Sequence, residues 1–226
     1  MTAEETQDEP GRADDPDSVY ITVRRAFPVL GSVRVRKRAL TAISHALEQE
    51  IASRVRKPVL FGGFQTDRFL APALSRWEQL AEVARACVVF VDPGGRPVAT
   101  DGVEVAAIDP AAPLREEWLV VCDDDAFACV LSAWEIPGLE LDDDGDRIFD
   151  LVWSVEPEPT RVAARTCARL AHQAGAPGAD RLVAELAAEP AAQTNVRTTW
   201  QVATRVLAYL GGAPGEGAAL RHPWPT

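Results

Sequence analysis

The sequence predicts an α/β fold, in which helices flank a central mixed sheet of about four to five strands and extra helices follow at the C-terminal end. Amphipathic stretches with helical spacing alternate with short apolar runs that are typical of buried strands. This alternation favours helices packed on a sheet, and it also suits a mixed α+β arrangement. The chain has 226 residues, of which 47% are hydrophobic and 25% charged, as expected for a folded domain.

The first elements follow from apolar spacing. Residues 19–23 fit either an edge strand or the start of a helix. A helix is predicted over residues 36–56, because apolar residues recur there every three or four positions and Lys57-Pro58 ends the pattern. Residues 58–64 predict a buried strand with a glycine exit, and residues 71–84 predict a second helix.

The rest of the chain is predicted to contain further strands and then helices. Strands are predicted over residues 87–91, 103–108, 118–122 and 148–155. Acidic residues at 123–125 suit a helix N-terminus through hydrogen bonding and the helix dipole, so residues 123–134 are predicted as a helix. The last predicted helices cover residues 157–174, 180–188 and 196–210.

Composition divides the chain into four parts. Residues 1–18 are polar and acidic and are predicted to be a disordered tail. Residues 19–175 are predicted to form the main domain, residues 176–210 a helical extension, and residues 211–226 a loose tail.

Charge and hydropathy exclude several classes of protein. The net charge of −11 argues against direct binding to nucleic acid, which needs a sustained positive surface. The basic stretch at residues 24–57 is expected to pair with acidic residues of its own chain. No apolar run reaches the roughly 18 residues needed to cross a membrane. Because the acidic N-terminus is unlike a secretion signal, the cytoplasm is the expected location.

Motifs for metal binding and catalysis are missing from the sequence. The four cysteines lack the two-residue spacing of zinc or redox motifs, and they are predicted to be free buried thiols. The three histidines are scattered, and the acidic segment 142–146 lacks the register of an EF-hand loop. No nucleophile elbow is present. The chain is therefore predicted not to be an enzyme and to have no metal site, and the sequence points to no particular cofactor.

Candidate ligand-binding residues come from polar side chains beside apolar faces. On the first long helix, Lys37, Thr41, Ser44 and Glu48 follow one edge of the apolar stripe. They could line a pocket between helix and sheet, but a row of caps and salt bridges at the solvent boundary is the favoured interpretation. Two further pairs place a charge beside a large aromatic residue. The candidates are Lys37, Ser44, Glu48, Arg76, Trp77, Trp134 and Glu135.

Several segments also match a known family in order and spacing. They are Arg36-Lys37-Arg38-Ala39-Leu40, residues 42–48, residues 58–65, Arg76-Trp77, residues 117–123, Phe127-Ala128, Trp134-Glu135 and the strand with Trp153. Together they resemble a DICT sensory domain over residues 36–170. The resemblance implies a signal-input domain of the kind joined to diguanylate cyclases, two-component proteins and transcription regulators, in light-linked or two-component signalling. It supplies no catalytic residues.

The leading hypothesis is a stand-alone, non-catalytic sensor or adaptor. It would bind a small ligand or a protein and regulate a separate signalling protein, because no output domain fits in the remaining residues. One alternative is an enzyme of unrecognised type that uses pocket carboxylates such as Glu48 or Glu135. Another is a structural module that forms a homodimer through residues 196–210, whose apolar side includes Val202, Val206 and Leu207.

Overall fold

Seven strands form one mixed sheet in the part of the chain that the computed structural model describes, residues 17–94, 100–137, 143–190 and 195–211. The strands are β1 (Val33–Arg36), β2 (Val59–Thr66), β3 (Ala86–Asp92), β4 (Glu104–Ala107), β5 (Glu117–Asp123), β6 (Ala128–Glu135) and β7 (Ile148–Ser154). Their order in the sheet is β1-β7-β6-β5-β2-β3-β4. The predicted fold class is confirmed, with more strands than the four to five expected.

Strand direction changes at β2. β2 pairs in parallel with β3, and β3 pairs in parallel with β4. All other neighbours, including β2 and β5, are antiparallel. β2 therefore joins a parallel half of the sheet to an antiparallel half.

Helices cover both faces of the sheet, which explains why the central strands are almost continuously apolar. The helices are α1 (Val19–Ala26), α2 (Lys37–Arg54), α3 (Asp67–Leu70), α4 (Leu74–Ala81), α5 (Pro157–Gln173), α6 (Ala179–Leu186) and α7 (Val196–Leu210). Alternate strand residues point to opposite faces. Leu60 and Val120 pack in one core with α2, α4 and α7, whereas Phe61 and Val121 pack in the other core with α1, α5 and α6.

The N-terminal apolar alternation is a helix. The hydroxyl of Ser18 accepts the N–H of Ile21 at 3.0 Å and caps α1. Of the two structures that residues 19–23 suited, the helix is therefore the one that forms. The acidic tail predicted over residues 1–18 and the tail predicted over residues 211–226 lie outside the described residues, apart from residues 17, 18 and 211.

The helix predicted over residues 123–134 is wrong, because this segment is a hairpin turn followed by β6. The carboxylate of Asp124 accepts the N–H of Ala126 at 2.9 Å and so stabilises a turn rather than a helix N-terminus. Cys129 then pairs with Cys122 across the hairpin. Both faces of β6 are buried, so its apolar run has no solvent side to reveal the two-residue period of a strand.

Other differences are smaller. The helix predicted over residues 71–84 is shorter, Leu74–Ala81, and the short helix α3 precedes it. β1 was not predicted, because it has only four residues and they are largely exposed, although their alternation of valine with arginine has the period of a strand.

The two C-terminal helices pack on opposite faces. α6 packs on α5 through Leu182 and Leu186, and α7 packs on α2 through Val202 and Val206. The predicted division between residues 19–175 and 176–210 stays a prediction. Within the described ranges, no helix combines the length and hydropathy needed to cross a membrane.

Candidate functional site

A cavity of about 680 Å³ lies between α2, the segment containing α3 and the start of α4, and strands β2 and β5. β2, one of its walls, contains Gly62 and Gly63. A Cβ atom on Gly62 would lie 2.5 Å from Cη2 of Trp77, so only glycine lets this indole rest against the strand. On the opposite face, a Cβ atom on Gly63 would lie 2.8 Å from Cβ of Leu119. The glycine exit predicted for this strand is wrong, because β2 continues to Thr66. The two glycines lie inside the strand and allow close packing on both sides.

Four of the seven predicted ligand-binding residues meet at this cavity. Lys37, Ser44, Glu48 and Arg76 line it. The first three lie along α2 at intervals of seven and four residues, which places them on one side of the helix. All three line the cavity, and Lys37 and Glu48 also form salt bridges, so both interpretations of this row apply to these two residues.

The other three candidates lie elsewhere. Trp77 is buried behind Gly62 in the core. Trp134 packs on the opposite face of the sheet, with its ring centroid 6.2 Å from that of Tyr20. Glu135 lies just beyond the cavity and accepts a hydrogen bond of 2.7 Å from the side-chain amide of Gln65, a lining residue.

Aromatic side chains that were not among the candidates form much of the cavity wall. Phe64, Phe69 and Trp118 line it. Trp118 donates its indole N–H to the hydroxyl of Ser44 at 2.9 Å, which fixes the ring against α2. The alternation of β5 places Trp118 on the α2 side and could have indicated it. Nothing in the local sequence pattern indicates Phe69.

Arg76 links two side chains of α2 at one end of the cavity. Its Nε donates to Oε2 of Glu48 at 2.8 Å, and its terminal nitrogen lies 3.0 Å from Nε2 of His45. Arginine can only donate, so Nε2 of His45 accepts and the imidazole is neutral. Burial lowers the pKa of His45, which also favours the neutral ring at pH 7.

At the other end of the cavity, Lys37 and Arg147 pair with neighbouring acidic and amide side chains. The Lys37 ammonium pairs with Asp144 and lies 4.0 Å from the ring centroid of Phe69. Arg147 donates to Oε1 of Gln65 at 2.7 Å and to Oε1 of Glu135 at 2.6 Å. Burial raises the pKa of Glu135, but hydrogen bonds from Arg147 and Gln65 outweigh it and leave that pKa below its usual value.

The neighbouring basic residues confirm the expected pairing within the chain. Arg36 donates to Asp146 at 2.8 Å, and Arg38 pairs with the same carboxylate. Lys37 and these two arginines therefore attach the start of α2 to the acidic loop before β7.

Arg68 is the remaining cation of the cavity. Its guanidinium carbon lies 4.5 Å from the ring centroid of Phe69. Across the described ranges, no carboxylate forms an ion pair with it, whereas Glu48 and Asp144 are already paired with Arg76 and Lys37. Glu117 also borders the cavity, but its carboxylate accepts the N–H of Tyr20 on the opposite face of the sheet.

The cysteine side chains lie outside the cavity lining. All four cysteines are buried and free, as predicted. Burial raises the pKa of Cys87 to about 12, so this thiol stays protonated at neutral pH. In the ranges that the structure describes, no three histidine, cysteine, aspartate or glutamate side chains are grouped so that they could hold a metal ion.

Comparison with models of known protein families gives a match over much of the chain. The model of the family described as "Sensory domain in DIguanylate Cyclases and Two-component system" matches residues 17–136, which is more than half of the 226 residues. The chain belongs to the DICT family. The resemblance in the sequence is thereby confirmed, and DICT domains are sensory domains of signalling proteins. Every residue that lines the cavity of this DICT domain lies in the matched segment except Asp144.

Other comparisons add little to the assignment. A search of curated proteins gives no match. One solved structure is similar, that of TrmBL2, an archaeal chromatin protein whose structure shows a novel mode of DNA binding. It is 11% identical, with a TM-score of 0.37, and the likeness covers 67% of this chain and 57% of that chain. This likeness is too weak to support a conclusion about the fold or function of the DICT domain.

Proposed function

We propose that this DICT domain senses a small molecule that binds in the cavity between α2, α4 and the sheet. The cavity carries the proposal, since its volume of about 680 Å³ lies in the range typical of small-molecule sites. Aromatic walls would supply apolar contact area. A few fixed polar groups, Ser44, Gln65 and Arg76, would orient the ligand.

The output of the sensor is a separate signalling protein. The DICT family description, which names diguanylate cyclases and two-component systems, supports this part of the proposal. Two-component signalling is the proposed context, and a cytoplasmic location stays a prediction. A light-linked signal also stays a prediction.

A variant that fills the cavity tests the proposed function. Thr41 lines the cavity and its hydroxyl donates to the carbonyl of Lys37 at 3.0 Å. Thr22 in α1 makes the same type of bond, to Ser18 at 2.7 Å, but lies on the opposite face of the sheet. We expect metabolites found by native mass spectrometry and thermal shift to bind the wild type and Thr22→Phe but not Thr41→Phe.

Two results would refute the small-molecule sensor. The first is that neither a co-purified ligand nor any library compound binds above background. The second is that the compounds found bind Thr41→Phe as well as they bind the control. Circular dichroism of both variants separates loss of binding from loss of fold.

The enzyme alternative has weaker support. Glu48 forms an ion pair with Arg76, and Glu135 forms one with Arg147. The hydrogen bonds to Glu135 also leave its pKa below the usual value, so this group is not poised to give up a proton near neutral pH.

The outer face of α7 favours self-association as a second candidate function, and we propose a second copy of this chain as its partner. Val196 is 80% exposed, Trp200 71%, Leu207 67% and Leu210 46%. No carboxylate lies on α7, so this face carries none of the acidic side chains that give the chain its net charge of −11. Val202 and Val206, which were expected on the dimer face, pack against α2 instead.

Light scattering tests the dimer. We expect a dimeric mass for the wild type and a monomeric mass for the double variant Trp200→Ser, Leu207→Ser. Val183→Ser on α6 is the matched control, because Val183 is also exposed, at 41%, but lies away from α7. A monomeric wild type, or a double variant that is still dimeric, would exclude this interface.

A further inference from the structure

We infer that the cavity takes a planar aromatic molecule that carries one anionic group, a carboxylate, sulfonate or phosphate, and that Arg68 binds this group. The inference rests on the proposed function and names the chemical class of its ligand. Three features of the cavity support it: the aromatic wall, the balance of charged side chains and the position of Arg68.

The aromatic side chains of the cavity wall favour a ligand that contains aromatic rings. Phe64, Phe69 and Trp118 remain partly exposed beside the cavity instead of being buried in the core. The rings of Trp118 and Phe149 meet edge to face at 6.2 Å, and those of Phe64 and Trp77 at 5.6 Å, so Phe64 and Trp118 are held in place from behind. Flat aromatic ligands pack well against rings such as Phe64 and Trp118, in stacked or edge-to-face contact. The Phe69 ring is already covered by Lys37 and Arg68 and serves to hold these cations.

The balance of positive and negative side chains in the cavity favours a ligand with a negative charge. Among the described residues, three cations line the cavity, Lys37, Arg68 and Arg76. Of its three acidic lining residues, Glu48 and Asp144 face these cations, whereas the Glu117 carboxylate bonds on the opposite face of the sheet. Both carboxylates are already paired, so a cationic ligand would find no free partner. Within the described ranges, one lining cation has no ion pair, Arg68. A ligand with one negative charge would complete the pairing by charge-assisted hydrogen bonds.

The ring of Phe69 holds Arg68 in position. With its carbon 4.5 Å from the ring centroid, the guanidinium stacks on an aromatic face and keeps its N–H groups free to donate. The side chain is exposed at the cavity mouth. An anionic group at the edge of a flat ligand would therefore meet Arg68 while the rings enter the cavity.

Two matched fluorescent probes test the inference. They are 8-anilinonaphthalene-1-sulfonate and N-phenyl-1-naphthylamine, which share the ring system and differ by the sulfonate. We expect the sulfonate probe to bind about tenfold more tightly, as one charge-assisted hydrogen bond allows. Arg68→Gln should remove this difference, whereas Arg181→Gln, at an exposed arginine of α6, should preserve it. Because Arg68 is exposed, the substitution does not threaten the core.

The outcomes separate the inference from the proposed function. If both probes bind equally, Arg68→Gln has no effect and Thr41→Phe abolishes binding, the inference is wrong and the cavity is still a binding site. If Thr41→Phe leaves the sulfonate probe bound, or if neither probe binds, the inference is also wrong, and the metabolite screen decides the proposed function. Displacement by 1-naphthoate or by 1-naphthyl phosphate identifies the preferred anionic group, and displacement by neither contradicts the inference.

Discussion

At the scale of single residues, Glu117 is the most unusual group in the core. Its carboxylate is fully buried and accepts the N–H of Tyr20 at 3.0 Å, at the start of α1. The helix dipole and this bond favour the ionised form. Burial opposes them more strongly and raises the pKa of Glu117 to about 7. The residue therefore ties α1 to β5 with a carboxylate that titrates near neutral pH.

Stability should consequently fall as the pH rises toward neutral. The folded protein holds the Glu117 proton up to about pH 7, whereas the ordinary pKa of the group is 4.5. Protonated Glu117 therefore contributes its full share to the free energy of unfolding below pH 4.5, and this contribution is lost as the pH rises through 7. The loss amounts to about 3 kcal/mol. Glu117→Gln keeps an acceptor for Tyr20 but cannot titrate. Urea unfolding at pH 5 and pH 8 should show a smaller decrease for this variant, and an equal decrease would contradict the assignment.

The contact between Gly62 and Trp77 leads to a second prediction for a single residue. Gly62→Ala would push a methyl group into the Trp77 ring, so we expect it to destabilise the fold by about 1–3 kcal/mol. Gly145→Ala is the control, because the nearest atom to its added Cβ is a flexible Asp143 carboxylate oxygen at 3.4 Å. Urea unfolding measures both. Equal effects would mean that the strand adjusts to the extra methyl group.

Local spacing identified only some of the residues at the cavity. Lys37, Ser44 and Glu48 were predictable because they share one helix, where spacing alone places them together. Arg76 was named for its aromatic neighbour, yet that neighbour, Trp77, points into the core. Phe69 and Arg68 reach the cavity from a short helix after β2, and their position depends on tertiary packing that local spacing does not encode.

At the scale of elements, α7 is attached to α2 by a buried carboxylate. The Glu50 side chain is 2% exposed and pairs with Arg54 of α2 and Arg205 of α7. Arg205 also donates to Gln49 at 3.0 Å, and Arg54 donates to Gln201 at 2.8 Å. The two arginines share the neutralisation of one buried charge.

Removing both arginines should therefore cost more than the sum of the single changes. Either arginine alone can still pair with Glu50, so we expect Arg54→Ala and Arg205→Ala each to cost about 1 kcal/mol. The double variant leaves a buried charge unpaired and should lose about 3–5 kcal/mol. Arg197→Ala, at an exposed position of α7, is the control. Strictly additive losses in urea unfolding would refute the shared role.

Individual helices and strands differ in how well the sequence pattern predicts them. α2 was predicted closely, because its buried face repeats over 18 residues. The sequence of β6 predicts a helix, because acidic residues before an apolar run suit both a helix N-terminus and a hairpin turn. The turn forms because β6 pairs with the strands that precede and follow it in the chain, β5 and β7. The residue pattern of one segment alone does not reveal such pairing.

At the scale of the whole molecule, the folded unit extends beyond the family match. The match ends at residue 136, but β7 lies between β1 and β6 in the sheet. Without β7, β1 loses its hydrogen-bonded neighbour and β6 becomes an apolar edge. Unpaired apolar edges of this kind promote aggregation.

A pair of fragments tests this conclusion. Residues 17–136 should aggregate or stay unfolded, whereas residues 17–190, which include β7 and α5, should fold. Circular dichroism and size-exclusion chromatography distinguish the two results. A monomeric, folded fragment 17–136 would show that β7 is dispensable.

The position of α2 between the cavity and α7 has a thermodynamic consequence. His45 contacts Arg76 at the cavity, and its ring also lies 6.4 Å from that of Tyr209 in α7. Suppose that an occupant of the cavity strengthens the attachment of α7 by some factor. Linkage then requires that an attached α7 strengthens binding of the occupant by the same factor. Affinity measured with and without α7 would therefore give the coupling free energy directly, before any downstream protein is known.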